Sequence, residues 1–409
     1  GCLMSDSYIR QSCRLCDSKD IEVVLPLKKS PLCDAYLKQP KKQEFYYLNL
    51  CLCNECDFVQ IDTVVEPEII YRDYIYVTTS SPGLQNHFKG YASEVCNFLN
   101  LDKSNLTVDI GSNDGTLLGF FKQHGHSVLG IEPSIKAANS ANENGIETLS
   151  EFFDTGLANV IVDQYGKASL ITVNNLFANV DNLKEFVEGI NMLLDSNGVL
   201  VIESSYLLDM IDNMVFDFIY HEHLSYFSIL PLVRFFKQFD MQLIHVHEVG
   251  TKGGSLRYYW ARSNSKWNPS LNVKELSLRE VKAGINTEKF KDYETRIEAV
   301  KFQLLEFLEK HKEEKIVGYG ASATSTTLIS HFELHKYFSY LVDDNVDKVN
   351  TFSPGYHVPV YSPKKLINDK PDIIVILAWR FKGEIINKLD NIFYGNVVVP
   401  LPYFSKEEY

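Results

Sequence analysis

The chain lacks a run of apolar residues long enough to cross a lipid bilayer. Stretches such as DIIVILAW are among its longest apolar runs, whereas a membrane-spanning helix needs about 20 residues. Its first residues, GCLMSDSYIRQ, do not combine a basic region with an apolar stretch, as a secretory signal does. We therefore expect a cytoplasmic protein with no membrane partner.

An excess of positive charge is also missing. The chain has 40 Lys and Arg residues against 53 Asp and Glu, a net charge of −13. Because nucleic-acid binders draw much of their affinity from a basic face, this balance predicts no nucleic-acid partner. With 409 residues, 45% of them hydrophobic, the chain is globular and longer than one core usually organises. We expect about two or three domains.

Cysteine is scarce but clustered near the N-terminus. Cys13 and Cys16 form one C-x2-C knuckle in CRLC, and Cys53 and Cys56 form a second in CLCNEC. Two such knuckles complete the tetrahedral sulfur set that zinc prefers. Cys51 does not share this spacing and is expected to be a bystander. Four thiolates leave no open position for a reacting water, which favours a structural zinc over a catalytic or redox role.

A strand, a glycine turn and a helix follow in NLTVDIGSNDGTLLGFFKQHG, and the second strand, SVLGIE, ends at Glu132. This order is typical of a nucleotide-binding βαβ unit, whose acidic residue takes ribose hydroxyls. The dinucleotide fingerprint G-x-G-x-x-G is absent, so NAD is not favoured here. A general phosphate site stays open, but DIGSNDG resembles the first motif of the class I S-adenosylmethionine (SAM) methyltransferases.

The most unusual stretch is FDFIYHEHLSYFS, in which Tyr220, His221, Glu222 and His223 are consecutive. Three interpretations are open: a strand whose alternate residues face water, a metal site, or acid–base chemistry on a bound substrate. In an extended segment, His221 would point away from the side that carries His223. We therefore expect His221 to be structural.

The last third begins with long amphipathic helices, where apolar residues recur at spacings of three and four. KIVGYGASATSTTLISHF then predicts a strand, a glycine turn and a helix, and YFSYLVDDN predicts a second strand that ends in acids. Taken alone, this unit is compatible with half of an NAD site. Two nucleotide-binding folds in one chain also suit a donor and an acceptor that are both nucleotides.

The chain resembles the nucleotide-sugar C-methyltransferases, which methylate a 4-keto deoxysugar bound to dTDP. The resemblance is carried by the cysteine knuckles, GSNDGTLL, GIEPS, YHEHLSYFS, KGGSLR, GYGASA and PGYHVPV, and it covers nearly the whole chain. It implies an α/β protein with a small zinc-binding N-terminal domain (1–70), a central Rossmann-type SAM methyltransferase domain (71–265) and a C-terminal Rossmann-like α/β nucleotide-binding domain (266–409).

The resemblance also implies the residues of each ligand site. The expected cofactor-binding residues for SAM are Asp109, Gly111, Asn113, Asp114, Gly115, Glu132, Pro133, Asn174 and Asn175. The expected substrate-binding residues, for a dTDP-linked or other nucleoside-diphosphate-linked sugar, are Gly320, Ser322, Asp343, Asn345, Lys348, His357 and Trp379.

The reaction implied is proton removal from C3 of the keto sugar and capture of a methyl group by the resulting enolate. By resemblance His223 takes the proton, Glu222 orients or polarises it, and Tyr220 holds the enolate oxygen. Tyr76 is a further candidate at the sugar. Asn179 stands where the family has a histidine, and it is able to hydrogen-bond an oxygen but not to act as an acid.

A second departure from the family is Thr324, where a lysine is expected near the phosphates. It leaves the nucleotide of the substrate open. Three rival functions also stay open: a sugar O- or N-methyltransferase, an NAD-dependent oxidoreductase that uses GYGASA, and a zinc-ribbon interaction module without catalysis. We expect a monomer or a small homo-oligomer.

Overall fold

The structure, a computed structural model, describes residues 6–71 and 82–409. Tyr76 lies outside the described residues. Within the described ranges no helix combines the length and the apolar character that crossing a membrane requires.

The N-terminal region is built from short antiparallel strands around the cysteine knuckles. Its elements are β1 (Ser7–Ile9), β2 (Ile21–Ser30), β3 (Tyr46–Cys53), β4 (Val59–Ile61), β5 (Thr63–Val65) and α1 (Pro67–Tyr71). Strands β2, β3 and β4 form consecutive antiparallel pairs. The distal edge of β4 pairs with a strand from much later in the chain, Ser225–Tyr226, directly after the YHEH segment.

The central region alternates strands and helices, as its apolar runs and glycine turns predict. The helices are α2 (Pro82–Leu99), α3 (Thr116–Gln123), α4 (Ile135–Glu143), α5 (Thr155–Tyr165), α6 (Leu183–Leu193), α7 (Leu207–Asp212) and α8 (Ile229–Lys237). The strands are β6 (Leu106–Ile110), β7 (Ser127–Ile131), β8 (Thr148–Leu149), β9 (Ala168–Asn174), β10 (Leu194–Ser205), β11 (Ser225–Tyr226), β12 (Met241–Val249) and β13 (Ser255–Arg262).

Seven of these strands form one sheet in the order β12-β13-β10-β9-β6-β7-β8. The pairs from β8 through β10 are parallel, and β13 is antiparallel to both of its neighbours. From β6 the chain builds outward to β7 and β8, then returns to β9 on the other side. Ligands of open α/β sheets bind at such a switch point, beyond the carboxyl ends of the strands.

The C-terminal region repeats this principle in a second sheet, with the order β16-β15-β14-β17-β18-β19. Its strands are β14 (Ile316–Tyr319), β15 (Phe338–Val342), β16 (Val360–Tyr361), β17 (Ile373–Ile376), β18 (Asn396–Val399) and β19 (Ser405–Glu408). Its helices are α9 (Leu271–Ala283), α10 (Thr287–Lys310), α11 (Ala323–Phe332), α12 (Lys365–Asp369) and α13 (Lys382–Leu389). Helices α9 and α10 confirm the expected amphipathic pair, and the switch point lies between β14 and β17.

One continuous core joins the N-terminal strands to the C-terminal sheet through the segment 207–226. Leu50 of β3, Phe216 of that segment and Phe332 of α11 are all fully buried in it. The YHEH residues therefore lie where three regions of the chain meet, and burial in this core fixes their position.

Candidate active site and zinc site

The four predicted metal ligands come together in the structure. The Sγ atoms of Cys13, Cys16, Cys53 and Cys56 all lie within 4.8 Å of one another. The pairs Cys13–Cys56 and Cys16–Cys53 are each 3.6 Å apart. A tetrahedral zinc with Zn–S bonds of about 2.3 Å places its sulfurs about 3.8 Å apart. The donor set therefore fits zinc, and Cys51 is not part of it, as expected.

Both knuckles have the same local geometry. The main-chain N–H of Asp17 donates to the carbonyl of Cys13, and that of Asp57 donates to Cys53, each at 3.0 Å. Asp17 and Asp57 have φ angles of 62° and 64°. Each turn therefore ends in a left-handed residue directly after the second cysteine, which brings both thiols of the knuckle to one side. The repeated letters C-x-x-C-D carried this signal in the sequence.

The predicted SAM-binding turn lies at the switch point of the seven-stranded sheet. Gly111 and Gly115 have φ angles of 80° and 82°, which L side chains rarely adopt. A Cβ atom at Gly115 would lie 2.9 Å from Ile146 Cγ2. The turn therefore needs glycine at both positions to keep its backbone close to the sheet.

Glu132 joins the glycine turn to the next turn. One carboxylate oxygen accepts from the N–H of Asn113 at 3.0 Å, and the other accepts from the N–H of Ser134 at 2.7 Å. Pro133 lies between Glu132 and Ser134 in the chain. Each oxygen keeps a lone pair for a ligand hydroxyl. Burial raises the pKa of Glu132, and the two N–H donors oppose that rise.

Several buried polar atoms around this turn have no hydrogen-bond partner among the described residues. They are both side-chain atoms of Asn174, Oδ1 of Asn113 and the hydroxyl of Ser112. Buried polar groups are nearly always paired in native proteins. The unpaired atoms next to the glycine turn therefore fit a polar ligand such as SAM, which would supply their partners.

The remaining predicted cofactor residues surround the same place. The carboxyl of Asp109 is 3% exposed and accepts from the Thr172 hydroxyl at 2.8 Å. Burial raises the pKa of Asp109 to about 7. Asp114 accepts from the Thr116 hydroxyl at 2.6 Å, at the start of α3. Asn175 is exposed and left-handed, with a φ of 57°, directly after β9.

The YHEH segment turns tightly, so the extended conformation on which the prediction for His221 depended is not found. The N–H of His223 donates to the carbonyl of Tyr220 at 2.9 Å. The segment lies between the 3-10 turn Phe216–Phe218 and the short strand β11. The assignment of His221 to the opposite side of a strand thus loses its geometric basis. His221 nevertheless faces elsewhere: it is 1% exposed, and its Nε2 is 2.8 Å from the carbonyl oxygen of Tyr47.

His223 has the geometry of a neutral base. Its Nδ1–H donates to the carbonyl oxygen of Phe218 at 2.9 Å, and its ring centroid is 4.3 Å from that of Tyr220. Burial, with a smaller effect from the positive charge of Lys252, lowers the pKa of His223 to about 4. At neutral pH its Nε2 therefore carries a free lone pair. Among the described residues the contact that orients this ring is Phe218, not Glu222.

Glu222 lies close to a set of charges contributed by different regions. Burial raises its pKa to about 7, and the negative charge of Asp34 adds to the rise. The positive charges of Lys252 and Lys348 oppose it. A carboxyl in this range is able to exchange a proton near neutral pH.

Two cavities share Phe218 as a common wall. The smaller is lined by His223, Asn175, Lys252 and the carboxyl end of β10, including Ser204. The larger, of about 430 Å³, is lined by Tyr220 and by the switch point of the C-terminal sheet. Asn179 ends the 3-10 turn Phe177–Asn179 nearby, and its Oδ1 is buried without a partner among the described residues.

The predicted substrate residues divide into two groups. Gly320, Ser322, Asp343 and Trp379 line the larger cavity. Asn345, Lys348 and His357 are not in its described lining. Lys348 is 5% exposed, and its Nζ lies 2.7 Å from Asp34 and above the Tyr36 ring. Its role at the substrate stays a prediction.

The sequence interpretation gave no role to three residues of these cavities. They are Lys252, inside the motif KGGSLR, Arg380, directly after Trp379, and the buried Asp217. Burial lowers the pKa of Lys252 to about 8 and raises that of Asp217 to about 6. The motif KGGSLR was a signal for Lys252, whereas no local pattern singled out the other two.

Comparisons with known proteins cover most of the chain. Residues 13–71 match the family described as "Putative zinc binding domain", residues 85–246 match "Methyltransferase domain", and residues 250–402 match "C-methyltransferase C-terminal domain". The chain is 28% identical to the C-methyltransferase NovU of Streptomyces niveus over 399 residues, 95% of each protein.

Solved structures resemble part of the chain. Magnesium protoporphyrin IX methyltransferase of Synechocystis PCC 6803 with bound SAH is 15% identical, with a TM-score of 0.35, over 48% of this chain and 91% of that one. The PH0226 protein of Pyrococcus horikoshii OT3 is 10% identical, with a TM-score of 0.37, over 47% of this chain and 97% of that one.

Proposed function

We propose that this chain, which is a SAM-dependent C-methyltransferase with an N-terminal zinc-binding domain, methylates C3 of a nucleotide-linked 4-keto deoxysugar. The observation that carries the proposal is the hydrogen bond from His223 Nδ1–H to Phe218. This hydrogen bond leaves Nε2 unprotonated and able to accept a proton, in the cavity that His223 shares with Phe218.

The first chemical step is removal of the proton on C3 by His223. The C3–H bond breaks, the proton moves to Nε2, and the electron pair forms a C3=C4 double bond with negative charge on the C4 oxygen. Burial lowers the pKa of His223, so its imidazole is neutral at physiological pH and its Nε2 lone pair is available to accept this proton. The keto group is required, since it is what makes the C3 proton acidic.

The enolate oxygen needs a hydrogen-bond donor in a site that excludes water. Tyr220 is 8% exposed and its ring lies against His223, so its hydroxyl is our candidate. Asn179 and Tyr76 are further proposed contacts to the sugar. Lys252, which shares the smaller cavity with His223, adds a positive charge on the same side. Glu222 is proposed to offset the positive charge of Lys252 when its own carboxyl is ionised.

The SAM-binding residues are proposed to act together at the switch point of the central sheet. When bound, SAM supplies an electrophilic methyl group for C3. The glycine turn and Asp109 hold the amino-acid end, and Glu132 accepts the ribose hydroxyls. The unpaired atoms of Asn174 and Asn113 complete the polar contacts.

The larger cavity is proposed to hold the nucleotide of the sugar. It lies at the switch point of a second parallel sheet, where nucleotides bind in α/β folds. It shares the Phe218 wall with the smaller cavity, so a nucleotide bound there would lie next to the cavity that contains His223. The proposed domain limits are residues 70 and 265.

Product analysis tests the proposal directly. The protein would be incubated with 13C-methyl SAM and a panel of dTDP-, UDP-, GDP- and CDP-linked 4-keto-6-deoxy sugars. NMR of the product distinguishes a methyl on carbon from one on oxygen or nitrogen. A labelled methyl on C3 is expected. A labelled O- or N-methyl group contradicts the enolate, and NAD binding without SAM binding contradicts the reaction class.

A further inference from the structure

The larger cavity contains an arginine whose hydrogen-bonding capacity is not used. Arg380 lies in the 3-10 turn Trp379–Phe381, after the carboxyl end of β17. Its Nη1 atom is buried and has no hydrogen-bond partner among the described residues. Asp217 Oδ1 is 3.7 Å from this nitrogen, which is too far for a hydrogen bond. Arg380 lines the cavity, and its Nη1 forms no hydrogen bond within the described structure that a bound anion would have to replace.

Four acidic residues line the described part of this cavity, and two of them, Asp343 and Asp344, are hydrogen-bonded to groups other than Arg380; the other two are Asp217 and Glu384. Asp343 accepts from the N–H groups of Ala321 and Asn345, at 2.6 and 2.7 Å. Asp344 accepts from the Tyr319 hydroxyl and from Lys388 Nζ, the latter at 3.0 Å. Of the two cations in the described lining, Lys388 is thus neutralised and half-exposed. Arg380 is the one with an open donor.

Arg380 also lies close to the glycine turn that precedes α11. Gly320 has a φ of 126°, and a Cβ atom there would lie 2.9 Å from the main-chain N of Ala378. The turn after β14 is therefore packed against the strand end that leads into Arg380. Thr324, in the first turn of α11, is neutral and 8% exposed, so it brings no cation to this place.

The geometry points to Arg380 as the residue that binds the diphosphate of the nucleotide-linked substrate, an inference that rests on the proposed function. A guanidinium presents parallel N–H donors that match phosphate oxygens, and its charge persists at every physiological pH. Its Cζ atom lies 4.2 Å from the centroid of the Phe218 ring, which limits how the guanidinium is able to turn. Arg380 thus supplies the charge that Thr324 does not.

The same contact places the diphosphate next to the reaction site. Arg380 packs on the ring of Phe218, and the carbonyl of Phe218 holds Nδ1 of His223. The residue that separates the two cavities is therefore in contact with both the phosphate-binding cation and the base. Binding of the nucleotide end would restrict the backbone that orients the base.

Calorimetric titration tests this assignment with variants of one residue. dTDP, UDP, GDP and CDP are first titrated into the unaltered protein, and each diphosphate that binds is then compared with its nucleoside. In Arg380→Gln the diphosphate should lose about ten- to hundred-fold in affinity, while the nucleoside keeps its affinity. Arg380→Lys, which restores the charge without the planar donors, should recover part of the loss.

Two controls separate a direct contact from a general charge effect. Arg279→Gln removes the same charge from an exposed pair with Glu248 and should change neither affinity. Lys388→Gln removes the other cation of the cavity and should have the smaller effect. If Lys388→Gln abolishes the preference for the diphosphate and Arg380→Gln does not, the inference is wrong.

The remaining outcomes distinguish this inference from the proposed function. If the unaltered protein binds no nucleoside diphosphate, the nucleotide-linked substrate and the role of Arg380 both fail. If it binds one, and Arg380→Gln weakens diphosphate and nucleoside equally or leaves both unchanged, only the role of Arg380 is overturned. Thermal unfolding of each variant shows whether a loss in Arg380→Gln comes from misfolding, in which case Arg380→Lys decides.

Discussion

His223 and Phe218 are joined by a hydrogen bond from the imidazole Nδ1–H to the main-chain carbonyl oxygen, 2.9 Å long. A main-chain carbonyl cannot lose its acceptor function through a side-chain substitution, so the tautomer of His223 depends on the backbone of the turn. That backbone is held in the core shared by the N-terminal strands and the C-terminal sheet. Three regions of the chain thus contribute to the orientation of one ring.

The first prediction concerns His223 as the base. With S-adenosylhomocysteine bound, so that transfer is impossible, the protein should exchange the C3 hydrogen of a 4-keto nucleotide sugar with heavy water. His223→Asn should slow both this exchange and methylation by about a hundred- to ten-thousand-fold, as is typical of losing a positioned general base. Mass spectrometry of the recovered sugar reports the deuterium.

His221→Asn is the matched control for this prediction. His221 lies two residues before His223, and its Nε2 faces the carbonyl of Tyr47 instead, so exchange should fall much less, provided that thermal unfolding shows an intact fold. Equal losses in the two variants would contradict the assignment. An unchanged rate in His223→Asn would reject it as the base.

The second prediction concerns Glu132. In Glu132→Ala the binding free energy of S-adenosylhomocysteine should weaken by about 1–3 kcal/mol, because the ribose hydroxyls and two main-chain N–H groups lose their acceptor. Glu143→Ala, an exposed acid at the end of α4, should bind as the unaltered protein does. Calorimetry measures both, and equal affinity in Glu132→Ala would show that the cofactor pocket is misplaced.

The third prediction concerns the zinc ligands. Cys53→Ser should lose zinc and unfold at a lower temperature, since a closed thiolate set contributes folding free energy. Cys51→Ser, two residues earlier and outside the cluster, should retain one zinc per chain. Metal analysis by mass spectrometry, with thermal unfolding, checks both. A well-folded Cys53→Ser protein that keeps its full zinc would contradict the ligand set.

The fourth prediction is a pH dependence of stability that arises at Glu222. Its pKa is about 7 in the folded protein and about 4.3 when unfolded. The folded state therefore holds this proton more tightly, and the free energy of unfolding falls as pH rises through this window, by about 4 kcal/mol at most. Glu222→Gln stays neutral at every pH and lacks this loss.

The midpoint of thermal unfolding tests the sign. The difference between Glu222→Gln and the unaltered protein should shift in favour of the variant between pH 5 and pH 8. A difference in unfolding midpoint that does not change with pH would mean that the pKa of Glu222 is not raised in the folded state. Asp195→Asn, at an exposed position, is the control.

Local sequence determined the parts of this protein whose geometry depends on neighbours in the chain. Three patterns each require a particular turn or helix. They are the two copies of C-x-x-C-D, the stretch DIGSNDG with an acid after the next strand, and the spacing of apolar residues before GYGASA. Turns of this kind depend on residues with positive φ angles, such as Gly111 and Asp17. The ability of a residue to adopt a positive φ is a local property. The zinc ligands were predicted from such signals, whereas the three-part α/β organisation was implied by the resemblance to the nucleotide-sugar C-methyltransferases.

Only the tertiary structure decided how the reaction site is arranged. The alternation in FDFIYHEHLSYFS was compatible with a strand, but packing against the N-terminal strands and α11 makes it turn, because burying Phe216 and Tyr226 outweighs a local preference for extension. The contact of Arg380 with Phe218 joins residues about 160 positions apart, and the orientation of His223 depends on a carbonyl. Neither relationship leaves a local pattern, because both arise from long-range packing rather than from the order of neighbouring residues.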